Sequence, residues 1–75
     1  MTHEQERNIE AAWAKLRSTK ERLKRAADAL KSAGLARAPE ERLQELDQLY
    51  QDAVDADSMA SDELENAMRA IGLNV

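Results

Sequence analysis

Proton transfer, covalent catalysis and metal capture draw on a short list of side chains, and this sequence lacks the most versatile of them. It has one histidine, His3, and no cysteine. His3 falls in what should be the fraying first turn of a helix, so no nucleophile stands beside a general base as hydrolytic or transfer chemistry requires. Fifteen Asp and Glu residues are present. A carboxyl becomes a useful general acid only when burial or a like charge in a cleft raises its pKa, and the pattern implies no cleft. Two aromatics, Trp13 and Tyr50, do not line a deep pocket. The expectation is a non-enzymatic chain with no catalytic residues, no cofactor and no metal ligands.

Residues 61–74, SDELENAMRAIGLN, resemble the exiting helix of EF-hand proteins, where an E-L-x-x-A-M-R-x-x-G run recurs; the resemblance covers fourteen residues. It implies a twelve-residue calcium loop upstream. With Asp55 and Asp57 as first and third ligands, the twelfth is Asn66, which cannot chelate bidentately as the family's glutamate does. With Glu63 twelfth, the loop starts at Asp52 and puts Val54 and Ala56 at ligand positions. The central glycine is missing in both registers. The calcium residues therefore do not carry over, and the stretch reads as an amphipathic helix.

Charge is the more informative chemistry. The net charge is −4, but residues 1–38 hold nine Lys/Arg against five Asp/Glu, whereas residues 39–75 hold two against ten. Lys15, Arg17, Lys20, Arg22, Lys24, Arg25 and Lys31 crowd the first half. Such a run could lie against phosphates, yet no aromatic is interleaved for base stacking. Arg17, Lys24 and Lys31 recur every seven residues on one stripe. Lys15, Lys20 and Arg22 instead flank an apolar seam, where charges meet a partner helix. Trp13, on the shoulder of the seam, reads first as a core or subunit-interface residue and second as a binding hot spot. The candidate partner-binding residues are therefore Trp13, Arg17, Lys24, Arg25 and Lys31 on the basic side, and Asp52, Asp55, Asp57, Asp62 and Glu63 on the acidic side.

The elements that must position these residues are helices. Thr2 followed by Gln5 fits a capping box. From there Ile9, Ala12, Leu16, Thr19, Leu23, Ala26, Leu30 and Ala33 recur at alternating steps of three and four, a heptad seam with large residues at one position and small ones at the other. Gly34 suits a left-handed C′ residue and Leu35 a fold-back contact, which predicts helix 1 over residues 2–33. A turn over 34–38 follows. Pro39, read as the first helical residue, and Glu40 and Glu41 restart a helix. Leu43, Leu46, Leu49, Tyr50, Ala53 and Val54 form its broad apolar face. The stretch 55–62, DADSMASD, offers two N-cap serines but neither glycine nor proline, so residues 39–71 make one helix or two. Gly72 and Leu73 form the closing C-cap. If the chain folds at residues 36 and 37, facing residue numbers sum to about 73, pairing Leu30 with Leu43, Leu23 with Tyr50 and Ile9 with Leu64. Lys15, Lys20 and Arg22 then face the region of Asp52, Asp55 and Asp57.

The fold class is thus all-α, one domain over residues 1–75, built as an antiparallel helical hairpin or a small three-helix bundle with a long N-terminal helix. A hairpin leaves one side of its seam uncovered, so self-association into a homodimer is expected. The polar, acidic opening MTHEQERNIE is no secretory signal, no run is long enough to span a membrane, and cysteine is absent, all pointing to a soluble cytoplasmic protein. The functional expectation is a small regulator or inhibitor that docks on a larger protein. Behind it stand a nucleic-acid-associated protein using the basic stripe and a purely structural oligomerisation hairpin.

Overall fold

A computed structural model describes residues 2–72, and it contains two helices, α1 (His3–Leu35) and α2 (Glu40–Ala70), packed side by side as an antiparallel hairpin. The described residues contain no strand. The rod measures 52 × 15 × 14 Å. No helix among the described residues is long and apolar enough to cross a membrane.

The start of α1 follows local rules. Thr2 Oγ1 accepts from the Gln5 amide at 3.1 Å and the Thr2 amide donates to Gln5 Oε1 at 2.9 Å, closing the capping box on two amides that helix geometry leaves unpaired. Its end departs from the sequence reading. Gly34 is helical, α1 continues through Leu35, and Leu35 lies 78% exposed instead of folding back. The left-handed residue is Arg37, at φ 56°. The Ala38 amide donates to the Ala33 carbonyl at 2.9 Å and the Arg37 amide to Gly34 at 3.2 Å. These are the two bonds of a Schellman motif displaced three residues from Gly34. Pro39 explains the displacement, because a proline bars the α region to the residue before it. Ala38 must leave the helix, and Arg37 turns the chain even without glycine's freedom.

Pro39 itself is the N-cap of α2, one position earlier than expected, with φ −57° and ψ 150°. Its carbonyl accepts from the Leu43 amide at 3.1 Å. From there α2 runs without interruption through residues 55–62, so the three-helix alternative is not what the chain adopts. The capping potential of Ser58 and Ser61 is overridden from either side. Ala53 and Ala60 are wholly buried against α1, and alanine is the strongest helix former. Gly72 at φ 81° ends the helix, its amide donating to Arg69 at 3.0 Å. Leu73 lies outside the described residues.

The core is thin. Leu16, Leu46, Ala53, Ala60 and Leu64 are the buried hydrophobic residues among those described, and Leu16, Ala60 and Leu64 form one cluster with Ile9, Ala12 and Met68 packed on it. Leu16 meets Ala60, Lys20 meets Asp57 and Lys15 meets Glu63, so facing residue numbers sum to 76–78. The expected value of 73 is out by about one helical turn. The fold point explains the shift: with α1 extended to Leu35 and the turn at residues 36–39, Leu16 packs with Ala60 and Leu64, and Ile9, Ala12 and Met68 pack on that cluster.

The two glycines therefore have opposite mutational signs. A Cβ at Gly34 meets nothing within 4 Å and the residue is helical, so Gly34→Ala should raise stability by about 0.5–1 kcal/mol. Gly72→Ala, with equal space but φ 81°, should lower it by about 1 kcal/mol. Urea midpoints at constant m-value measure both; a loss on Gly34→Ala would contradict the placement of the turn at Arg37.

Candidate functional site: two charged faces of a hairpin

At about 100° per residue, side chains of each helix fall on either side of the α1–α2 seam. Lys15, Arg22 and Ala29 of α1 share one face with Leu49, Ala56 and Glu63 of α2. Trp13, Lys20 and Ala27 share the opposite face with Val54, Asp57 and Ser61. Each face is bridged by one ion pair. On the first, Lys15 Nζ sits 2.9 Å from both Glu63 carboxylate oxygens. On the second, Lys20 Nζ sits 3.5 Å from Asp57 Oδ1.

The second bridge reaches into the seam. Asp57 recurs at seven-residue spacing with Tyr50 and Leu64 and its side chain keeps 19% of its exposure. Thr19, on the small-residue row of α1, places Oγ1 3.3 Å from Asp57 Oδ1 and 2.9 Å from the Leu16 carbonyl. One hydroxyl proton serves one acceptor at a time, so the shorter bond to Leu16 competes with the one to Asp57, and Lys20 adds charge attraction to the carboxylate. No buried side-chain nitrogen or oxygen among the described residues lacks a hydrogen bond.

The structure sorts the candidate residues into two sets. Asp57 and Glu63 are engaged within the chain, by Lys20 and Lys15. Lys15 was expected opposite Asp52, Asp55 and Asp57, and the one-turn shift in register delivers it to Glu63 instead. Arg22, expected to join that neutralisation, forms no ion pair among the described residues. Neither do Arg17, Lys24, Arg25 and Lys31, all exposed on α1, nor Asp55 and Asp62 on α2. Asp52 accepts only from Gln48 Nε2, at 3.0 Å. Trp13 is 41% exposed and lies in one row with Arg17, Lys24 and Lys31. Leu49 and Met59, 51% and 63% exposed, were not among the candidates. Leu49 counted as part of the α2 core face, and only the narrowness of a two-helix seam leaves it outside.

Met59, Ala56, Ser18 and Arg22, with Lys15 and Thr19, line a shallow groove of about 390 Å³ on the first face. A second groove continues it beyond the Lys15–Glu63 bridge, past Ala11, Ala12 and Ala67. Neither contains a histidine, and the only ionisable groups along them are Lys15, Arg22 and Glu63. The EF-hand register has no counterpart here, since residues 55–66 are helical throughout and cannot wrap an ion as a loop does.

Exposed ion pairs contribute little each, and the Asp57 contacts should outweigh those of Glu63 because the carboxylate is more nearly buried. Lys15→Gln should cost about 0.2–1 kcal/mol, with the loss shrinking as salt is added, while Lys31→Gln, at an exposed lysine without an ion pair among the described residues, leaves stability unchanged. Asp57→Ala should cost more than Glu63→Ala. Denaturation in low and high salt reads all four; equal losses for Lys15→Gln and Lys31→Gln would show that the bridge contributes nothing. Comparison with protein-family models, with curated proteins and with solved structures returns no match for this chain.

Proposed function

We propose that this protein is a non-enzymatic binding module, a small regulator or inhibitor that docks through the outer face of α1 on an acidic surface of a larger protein. The observation that carries the reading is the unequal treatment of the basic residues. Lys15 and Lys20 meet carboxylates across the seam, whereas Arg17, Lys24 and Lys31 form no ion pair among the described residues. Glu21 and Asp28 lie one turn from Arg17 and Lys24 on the same helix, yet no pair forms. Trp13 heads this row and supplies the large, half-exposed aromatic that binding surfaces concentrate their energy in. A row some 27 Å long, from Trp13 to Lys31 at about 1.5 Å per residue, suits an extended contact better than a small ligand.

A duplex or single strand of nucleic acid would also be attracted to this row, and salt separates the two. Phosphate contacts lose affinity linearly in log salt with a slope near the number of phosphates neutralised, whereas docking centred on Trp13 loses it weakly.

Capture from the native host tests the reading with two variants, Trp13→Ala and the triple change Arg17→Gln, Lys24→Gln and Lys31→Gln. Exposed substitutions of this kind should leave stability within about 0.5 kcal/mol of the parent. Each should weaken capture of the specific protein about tenfold or more, equivalent to about 1.4 kcal/mol. Capture unchanged by both variants would refute the assignment of this face. Retained binding to duplex DNA with a steep salt slope would transfer the row to nucleic acid.

A further inference from the structure

The accessible surface is 5741 Å², roughly 1,100 Å² more than the approximately 4,600 Å² expected of a compact monomer of this mass. The radius of gyration is 16.4 Å, against about 11 Å for a globular chain of this length. A stable dimer buries about 800 Å² per partner, so the excess is the size of an interface. Of the four exposed large apolar side chains among the described residues, Trp13 heads the outer row of α1 and Leu35 lies beside the turn, while Leu49 and Met59 share the face bridged by Lys15 and Glu63. There α2 presents Leu49 and Met59, more than half exposed, and α1 presents the small residues Ala11, Ser18 and Ala29.

We propose that a second copy of this chain covers this face, with the two hairpins related by a two-fold axis parallel to the rod. Only two two-fold arrangements lay one such face on another. An axis across the rod stacks α1 on α1 and α2 on α2. Since α1 holds eight Lys/Arg against five Asp/Glu, and α2 two against ten, that arrangement sets like charge on like along both rows. An axis along the rod stacks each α1 on the α2 of the other copy and preserves height along the molecule, so the intramolecular register of 76–78 also applies between copies. Leu49 of the partner subunit then falls level with Ala29, and Met59 of the partner subunit with Ser18, large residues against small. Arg22 and Arg25 fall level with Asp52 and Asp55 of the partner subunit, which are groups the single hairpin leaves without ion pairs. The product is a four-helix bundle in which every helix runs antiparallel to both neighbours. The Trp13 row remains on the outside, so this inference is independent of the docking reading above.

Sedimentation equilibrium of the full chain from 1 to about 300 µM, with circular dichroism as control for folding, tests it. The parent should approach twice the chain mass. Leu49→Glu with Met59→Glu should return it to the single-chain mass with helicity retained, and Met59→Glu alone, at the more exposed of the two positions, should weaken association at least tenfold. Arg22→Glu with Arg25→Glu should dissociate the parent dimer, and mixing that variant with Asp52→Arg and Asp55→Arg should restore a dimer of one copy of each. Trp13→Ala should leave the mass unchanged. A parent at single-chain mass throughout the range would overturn the proposal, as would a folded Leu49→Glu, Met59→Glu variant that still dimerises. Failure of the mixed charge-swapped pair to associate, with both variants folded, would overturn the axis along the rod.

Discussion

Close approach of two helices along a row of small side chains is the constraint on which this molecule rests. Ala53 and Ala60 are the only residues among those described with no exposed surface, and both project from α2 into the seam. Small residues at that heptad position allow helix axes toward the near end of the usual range, about 8 Å apart. Leu16 and Leu64 then close around Ala60 and are themselves buried. The same closeness limits what the seam can cover. A two-helix contact built on alanine has room for one line of large side chains, and Leu49, Met59 and Trp13 are left at its borders. Thinness of core and abundance of half-exposed apolar surface are thus one fact seen from two sides.

Electrostatics follows from that geometry. Folding lays a basic helix beside an acidic one, which relieves the self-repulsion of α2, where Glu41 and Glu45 form a like-charged pair one turn apart. The relief is incomplete because a seam has only two borders. Lys15 and Lys20 each occupy one border and reach a carboxylate, while Arg17, Lys24 and Lys31, farther round α1, cannot reach α2 in the same chain. Asp57 adds a polar contact inside the seam. Such a group weakens packing relative to an apolar residue, but its pairing with Thr19 and Lys20 penalises registers that would set it against leucine.

The two faces consequently differ in kind. One is apolar at its rim, grooved, and bordered by arginines on α1 and aspartates on α2, so it complements itself under a rotation that exchanges the two helices. The outer row of α1 is basic with one aromatic and has no acidic counterpart of matching length on the same helix, which is why the proposed docking is assigned to it. In the two-fold bundle proposed above, that row would appear twice, on opposite sides, and the proposed docking and pairing would not compete for residues.

The sequence alone determined what is local. The capping box at Thr2 and Gln5, the heptad seam from Ile9 to Ala33, the restart at Pro39 and the stop at Gly72 each depend on neighbours within one or two turns, and each is present as read, Pro39 displaced by a single position. Register could not be settled that way. A seam that repeats every seven residues with large and small positions is satisfied almost equally by alignments one helical turn apart, so the pattern does not choose between them. The choice lay with the connection, where Pro39 forced Ala38 out of the helix and Arg37, not Gly34, took the left-handed conformation. That one-turn difference moved Lys15 from the Asp52–Asp57 region to Glu63. Continuity of α2 through residues 55–62 was likewise a tertiary decision. Locally Ser58 and Ser61 could cap a new helix, but breaking α2 there would pull Ala53 or Ala60 from α1, and burial of both against one straight partner outweighs a cap.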